Sequence, residues 1–354
     1  MDNLTFNEGI LDQLNSRLAR DFLPNTVILF AYIVLGLLGN VAVIYIYKFR
    51  FQKSPEDRLF IPYLAGIDTL ACVICSSANL IINFNPVRYP GVILCKTFFM
   101  LSQFAAASSA LMLTIIAIER FQLICRPFKP KMTLRKKRMS VLLMLMFMFL
   151  GSIPSLFTTG IVPITNTHLN VTGYVCASVK VMGSKVFPFV YNLLVLVICA
   201  GNLIILCTLY FMIGKTIYSR VKSRASMQKP AVCVSSSSDG LDEENPSTFT
   251  ETKLSSSQPH GKTSRKMKTA GNRISIMFLV ISLVYVLCFV PTLIAIVKSP
   301  LDRNDWEEKS TVERLGLRTA NAWYIINNIV NPVIYGFFDK SLRREIASWS
   351  YSIC

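Results

Sequence analysis

Seven apolar stretches, each long enough to cross a bilayer, constrain this chain more than any other feature: 22–47, 59–83, 97–118, 139–162, 186–213, 274–297 and 319–338. A spanning helix needs ~20 predominantly apolar residues, and inside hydrocarbon its backbone polar groups must be satisfied within the segment. The composition agrees, because 52% hydrophobic and 16% charged residues in a chain of 354 exclude an ordinary soluble enzyme. The expected fold is an all-α membrane protein, a seven-transmembrane helix bundle. The polar, acidic segment before the first stretch has no small-residue cleavage site, so that stretch reads as a retained span.

Basic residues set the orientation. With the N-terminus outside, 26 of the 37 Lys and Arg lie on the inner side and 11 on the outer. The acids divide into 10 inner, 9 outer and one, Asp68, within a span, so the inner face carries +16 and the outer +2. Basic inner loops favour anionic inner-leaflet lipid, and the net charge of +17 is therefore no argument for nucleic acid, which is set aside. The glycan-acceptor motifs at Asn3 and Asn170 both fall outside, as they must. Residues 1–21 form an extracellular N-terminal tail, 22–338 the membrane domain, and 339–354 an amphipathic helix and cytoplasmic tail. Within the domain, 222–262 reads as a disordered cytoplasmic loop, rich in Ser (235–238, 255–257) and acids (239–244), with basic helical extensions of the fifth and sixth spans beside it.

Of ten cysteines, five lie in apolar spans and three face the cytosol, while Cys95 and Cys176 alone reach the oxidising outer side. Those two should pair, closing a long loop at a gain on the order of 4 kcal/mol in the chain-entropy model.

Asp68 is the one ionisable side chain deep in a span, and it needs polar company. Candidates are Asn40, Ser108, Ser109, Asn327, Asn328 and Asn331; Asn327 and Asn331, four apart, share a helix face. Such an oxygen-lined pocket suits a hard cation or water, and equally a hydrogen-bonded network without an ion. Pro332 and Pro291 each remove a backbone donor, so kinks are expected in the seventh and sixth spans, with the freed carbonyls taking Asn or water as partners. At the inner end of the third span stand Glu119 and Arg120, an acid and a base at the edge of an otherwise uncharged run.

Taken in order, Gly39-Asn40, Leu64-Ala65 with Asp68, Cys95, Glu119-Arg120-Phe121, Arg126-Pro127, Cys176, Tyr210, Cys288-Phe289-Val290-Pro291 and Asn331-Pro332-Val333-Ile334-Tyr335 resemble a rhodopsin-like (class A) G-protein-coupled receptor over nearly the whole chain, with most similarity to neuropeptide receptors. The resemblance implies that Glu119 holds Arg120 in the inactive state. On activation Arg120 moves toward Tyr210 and the G protein, Tyr335 swings inward, and Phe289, Pro291, Asn331 and Pro332 complete the switch. It further implies an allosteric sodium ion at Asp68, Ser109, Asn327 and Asn331, with no other cofactor. The chain departs from the family at Phe289, where Trp is usual, at Asn202, where the fifth span usually has Pro, and at Gly271, where an acid often holds the Arg. Asn202 should leave the fifth helix straighter, and Gly271 predicts appreciable ligand-free signalling.

Ser102 and Ile325 stand where aminergic receptors carry Asp and opsins a Schiff-base Lys, which excludes both chemistries. The upper cavity expected from the resemblance is lined by Asn79, Ser102, Gln103, Tyr191, Asn192, Phe289, Trp323 and Tyr324, without a charge, beneath charged outer loops that include Arg88, Lys96, Lys180, Lys185 and 302–308. That mouth favours an extracellular peptide with an uncharged end. Arg120, Ile124, Pro127 and Phe128 are the expected contacts of a heterotrimeric G protein, and the Ser clusters are expected sites for receptor kinases and arrestin. The expected location is the plasma membrane, with multiple passes. A transporter or channel using Asp68 is the alternative, along with a receptor for a lipid or other non-peptide ligand. The odd number of spans and missing internal repeat count against transport, and the two His, both in loops, count against an enzyme.

Overall fold

The computed structural model describes residues 2–50, 58–166, 169–181, 183–227, 260–301 and 310–353. The Ser clusters, the 302–308 stretch, His168, Cys233 and Cys354 lie outside the described residues.

The apolar stretches fold as long helices because apolar side chains on nearly every face leave no polar alternative to packing or lipid. In chain order these are α1 (Asp2–Asp21), α2 (Leu23–Tyr45, continued by a wide turn over Ile46–Arg50), α3 (Phe60–Phe84), α4 (Val92–Cys125) and α5 (Leu134–Ser152). After a short turn, α6 (Ser155–Thr158), come strands β1 (Thr159–Asn166) and β2 (Val171–Ser178), and then α7 (Val186–Met227) and α8 (His260–Leu301). The chain finishes with α9 (Thr311–Ala322), a 3-10 turn (Trp323–Ile325), α10 (Ile326–Phe338) and α11 (Lys340–Ile353). Among the described residues six helices are long and apolar enough to cross a membrane. The seventh expected span is divided, with α9 and α10 joined by the 3-10 turn. α7 and α8 do run past the apolar stretches, as the flanking basic segments predict, reaching Met227 and starting at His260.

Close helix approach needs small residues. A Cβ on Gly36 of α2 would lie 2.5 Å from Cys72 Sγ of α3, and one on Gly39 would lie 3.0 Å from Pro332 Cγ of α10. Real Cβ atoms essentially never come as near as the first and seldom as near as the second, so these glycines allow the close contact of the first span with the second and seventh. The main core gathers Leu64, Leu113, Ile116, Ile213, Phe278, Ile281 and Tyr335 around the inner half of the bundle.

Two regions differ from the sequence expectation. The fourth span was expected to reach Val162, yet α5 ends at Ser152 and β1 begins at Thr159. Pro154 lies just past the helix end, and the β-branched run after Gly160 pairs better as strand. β1 and β2 form an antiparallel hairpin in which Ile161 opposes Cys176, turning near Asn170 with its positive φ of 50°. The expected disulfide is present between Cys95 and Cys176, with Cα atoms 5.6 Å apart, and ties this hairpin to the top of α4.

The second region is 1–21, expected as a polar tail. From Asp2 to Asp21 it is a helix whose Leu11, Leu14 and Leu18 pack with Phe22, Val87, Ile164 and Leu315. Asn15 fixes its seat by donating to Phe84 O (3.1 Å) and accepting from Val87 N (3.3 Å), and Asp12 pairs with Arg88. That pairing pushes the exposed Arg88 guanidinium pKa further up. In the last span α10 runs from Ile326 to Phe338 with Pro332 inside it, and a 3-10 turn over Trp323–Ile325 precedes it.

Candidate functional site

Two fully buried acids organise the bundle. Asp68, on α3, is 0% exposed. Its Oδ1 accepts from the Ser109 hydroxyl at 2.8 Å and its Oδ2 from Asn331 Nδ2 at 2.7 Å, so helices α3, α4 and α10 meet on one carboxylate. The Ser109 oxygen also lies 2.9 Å from Asn328 Oδ1, and one hydroxyl proton cannot serve both. Asn327, four residues from Asn331 on the sequence argument, stands one step back, with its Nδ2 3.5 Å from Asn328 Oδ1.

Asn40 joins through the backbone. Its Nδ2 donates to Asn328 O at 2.9 Å and to Gly36 O at 3.0 Å. The carbonyl of residue 328 is the one that Pro332, lacking an N–H, leaves without its helical donor. The freed carbonyl therefore finds an Asn, as the sequence argument expected. Four buried oxygens around this network, Asn40 Oδ1, Asn327 Oδ1, Asn331 Oδ1 and Ser108 Oγ, have no hydrogen-bond partner.

Glu119 is held differently. Its Oε2 lies 3.2 Å from Arg120 Nη2, and its Oε1 pairs closely with Lys137 Nζ of α5. All three are buried. The Arg120 guanidinium also sits 5.3 Å from the Phe278 ring of α8, and the Lys137 ammonium 5.7 Å from the Phe60 ring of α3. Lys137 escaped the sequence reading because it is one of four consecutive cations, 135–138, and the other three are exposed. Gly271 falls within α8, on a turn whose side chains lie outside the described residues.

Around this pair, Tyr210 and Tyr335 are buried, and the Tyr335 hydroxyl has no hydrogen-bond partner. Ile124 is buried and its carbonyl accepts from Arg220 Nη2 at 2.6 Å, whereas Pro127 is exposed and Phe128 entirely so. Asn202, at the missing proline of α7, accepts from Thr114 Oγ1 at 2.6 Å and so ties α7 to α4. Below the pair, the Tyr47 hydroxyl donates to Asp339 Oδ2 at 2.5 Å and Arg58 reaches the same oxygen at 3.2 Å. Asp339 Oδ1 accepts from Ser341 N at 2.9 Å, which anchors the start of α11.

At the outer end, the expected lining is partly engaged elsewhere. Tyr191 donates to Gly151 O of α5 at 3.0 Å, and Asn79 to Cys75 O of its own helix at 2.8 Å. Ser102 Oγ and Gln103 Oε1 are buried without a hydrogen-bond partner. Phe289 stacks 5.5 Å from Tyr285, and Tyr324 N donates to Thr292 Oγ1 at 3.3 Å. Asn192 and Trp323 are exposed. Sequence reasoning missed a second polar cluster here: Asn83 Nδ2 donates to Asn25 Oδ1 (2.8 Å) and Thr26 Oγ1 (3.1 Å), and Asn25 Nδ2 reaches Thr319 Oγ1 (3.3 Å).

A multi-pass helical bundle, disulfide-tied at one end and holding a buried Glu-Arg pair at the other, has the architecture of a seven-helix membrane receptor. Residues 39–335 match the 7 transmembrane receptor (rhodopsin family), and the chain belongs to that family. It is 26% identical to a QRFP-like peptide receptor of Branchiostoma floridae, over 98% of this chain and 88% of that one. It is 25% identical to the cholecystokinin receptor type A of Canis lupus familiaris, over 95% and 83%. Among solved structures, squid rhodopsin superposes with a TM-score of 0.67 at 17% identity, over 93% of this chain and 81% of that chain, a likeness of fold. The family is one of receptors, not enzymes.

Proposed function

We propose that this receptor lies in the plasma membrane with its N-terminus outside, binds an extracellular peptide, and activates a heterotrimeric G protein through release of Arg120. The observation that carries the reading is the buried Glu119–Arg120 pair at the inner end of α4, 3.2 Å apart and both about 2% exposed. On leaving so desolvated a pair Arg120 is a charge in need of a new partner, such as the G protein, while Glu119 keeps Lys137. Tyr335, buried with an unsatisfied hydroxyl, supports a side chain that gains a hydrogen bond on moving, and Tyr210 stands close enough to Arg120 to lie in its field. Phe289, Pro291, Asn331 and Pro332 link that movement to the upper bundle, while Ile124, Pro127 and Phe128 complete the coupling surface.

The peptide assignment is supported by relatives whose names are those of peptide receptors, QRFP-like and cholecystokinin. Asn79, Ser102, Gln103, Tyr191, Asn192, Phe289, Trp323 and Tyr324 are the proposed ligand residues, and the unsatisfied Ser102 and Gln103 oxygens support a ligand that donates hydrogen bonds. A sodium ion would be held by Asp68, Ser109, Asn327 and Asn331, whose hard oxygen donors and unsatisfied amide oxygens fit it. Its chemistry there is charge compensation of a buried carboxylate. Glycans at Asn3 and Asn170 and phosphorylation for arrestin complete the reading.

The test is a peptide library applied to cells expressing the chain, read by calcium and cyclic nucleotide in parallel. A peptide response that Arg120→Ala abolishes at equal surface expression is expected. A response to lipids or amines alone overturns the peptide assignment.

A further inference from the structure

Helix α9 turns one face into the protein: Leu315 packs with Leu18, Phe22 and Val87, the Thr319 hydroxyl accepts from Asn25 Nδ2 at 3.3 Å, and Ala322 is 1% exposed. Arg318 falls on that same face, since 315, 318, 319 and 322 recur at helical spacing. Its guanidinium lies 5.2 Å from the centre of the Phe22 ring, and among the described residues no carboxylate or other hydrogen-bond acceptor reaches it. The side chain is half-buried, so its charge is neither free in water nor paired. The acids at the adjoining helix ends are committed elsewhere. Asp21 faces Arg314 at 3.8 Å and accepts from the Thr311 hydroxyl at 3.4 Å, and Glu313 closes the cap of α9 with Ser310. We propose that Arg318 is a carboxylate-binding residue of this receptor, taking an acidic group of its extracellular peptide at the outer ends of the first and seventh spans.

A cation held partly out of water with only an aromatic face for company gains when an anion joins it. The ring leaves the five N–H donors of the guanidinium unused, and their planar fork matches the two oxygens of a carboxylate. Local charge limits the anion: Arg314 and Arg318 against Asp21 leave one positive charge, which a carboxylate cancels and a phosphate overshoots. The outer cavity complements this cation with groups of the opposite kind. Ser102 and Gln103 present buried oxygens without a hydrogen-bond partner, so they want donors while Arg318 wants an acceptor. A peptide with a carboxylate at one point and neutral N–H groups at another meets both. The site rests on the peptide reading for the nature of its ligand, while anion binding at Arg318 is measurable without any peptide.

In the first experiment the purified full-length receptor is heated with millimolar N-acetylglycine or with its neutral twin, N-acetylglycinamide, at equal ionic strength. The acid is expected to raise the thermal inactivation temperature by about 2 °C and the amide by less than about 0.5 °C, and Arg318→Gln to remove the difference. Arg318→Lys, which keeps the charge and loses the fork, should retain about half of it. No rise with the acid on the wild-type receptor overturns the site, as does a rise that survives Arg318→Gln or an equal rise from added sodium chloride. The companion assay applies the peptide library to cells in two matched forms, one with its carboxylates intact and one with Gln for Glu, Asn for Asp and amidated ends. Wild-type cells should respond to active acidic peptides at about tenfold lower concentration than to their neutral twins, and Arg318→Gln at equal surface expression should shrink that ratio below about twofold. Equal potency of the two forms on the wild-type receptor overturns the carboxylate as the group recognised. A response to neither form, with the Arg318-dependent rise intact, overturns the peptide reading and upholds the anion site.

Discussion

Asp68 and Glu119 sit on neighbouring helices, both buried to the same degree, and the bundle satisfies them by opposite means. Asp68 receives two neutral donors, Ser109 and Asn331, and keeps its formal charge uncompensated within the protein. Glu119 is paired with two cations, Arg120 and Lys137, so its charge is more than balanced. A carboxylate held by neutral dipoles invites a mobile cation or a proton, whereas one held between two fixed cations can lose either and remain paired. The first site is built to respond to what enters the bundle, and the second to let one of its own partners leave.

The largest effect should come from removing the partner that leaves. Arg120→Ala is expected to abolish G-protein coupling while ligand affinity stays within about threefold, since the pair lies far from the outer cavity and truncation there removes an interaction made only on signalling. Loss of ligand binding in a surface-expressed mutant would show that the pair holds the fold and not the signal. Lys137→Met comes next. With Lys137 gone, releasing Arg120 strands Glu119 as a buried charge, at about 3–5 kcal/mol, so ligand-free signalling should fall to the level of mock-transfected cells. Glu119→Gln should raise it, and the double mutant should match Glu119→Gln, because an amide has no charge for Lys137 to stabilise. A rise in basal signalling for Lys137→Met alone would mean that Lys137 is part of the lock, and the contrast with Asp68 would collapse.

How much of this was legible depends on whether the signal was local. The spans follow from runs of apolar residues, and Cys95–Cys176 from the side of the membrane on which each cysteine falls. The receptor family followed from ordered motifs. Lys137 was not legible, because within Arg135 to Arg138 every position has the same composition and only the packing of α5 on α4 turns one of them inward. Asn328 is among the sequence candidates, but Asn327 and Asn328 lie four and three residues before Asn331 on one side of the same helix, so spacing alone does not choose between them, and it is Asn328 that stands beside Ser109. Two misses did have a signal. Leu11, Leu14 and Leu18 recur at helical spacing in the segment expected as a tail, and the β-branched residues of 161–165 and 171–175 suit a hairpin.

Asp68→Asn tests the other half of the comparison and should act more gently. The amide keeps the shape and removes the charge, so its expected signature is loss of the sodium effect on agonist binding, measured in sodium against choline chloride. Basal signalling should change less than in Glu119→Gln. A wild-type receptor indifferent to sodium would leave Asp68 as a purely hydrogen-bonded junction.

The smallest effect is expected from Ser109→Ala. The Ser109 hydroxyl has one proton for two facing oxygens, Asp68 Oδ1 at 2.8 Å and Asn328 Oδ1 at 2.9 Å, so it satisfies only one of them in the intact receptor. Removing it loses one hydrogen bond to a charged group, about 1.5–3 kcal/mol if the carboxylate stays dry and less if water takes the place of the hydroxyl. Water can enter because the surrounding Asn327, Asn331 and Ser108 oxygens offer it the partners it needs. The expected outcome is a slightly lower thermal inactivation temperature with unchanged basal signalling. No such replacement exists at Glu119, where a neutral molecule cannot stand in for a cation. A Ser109→Ala receptor whose signalling shifts as far as that of Lys137→Met would show that the neutral donors at Asp68 are as much a latch as the cations at Glu119.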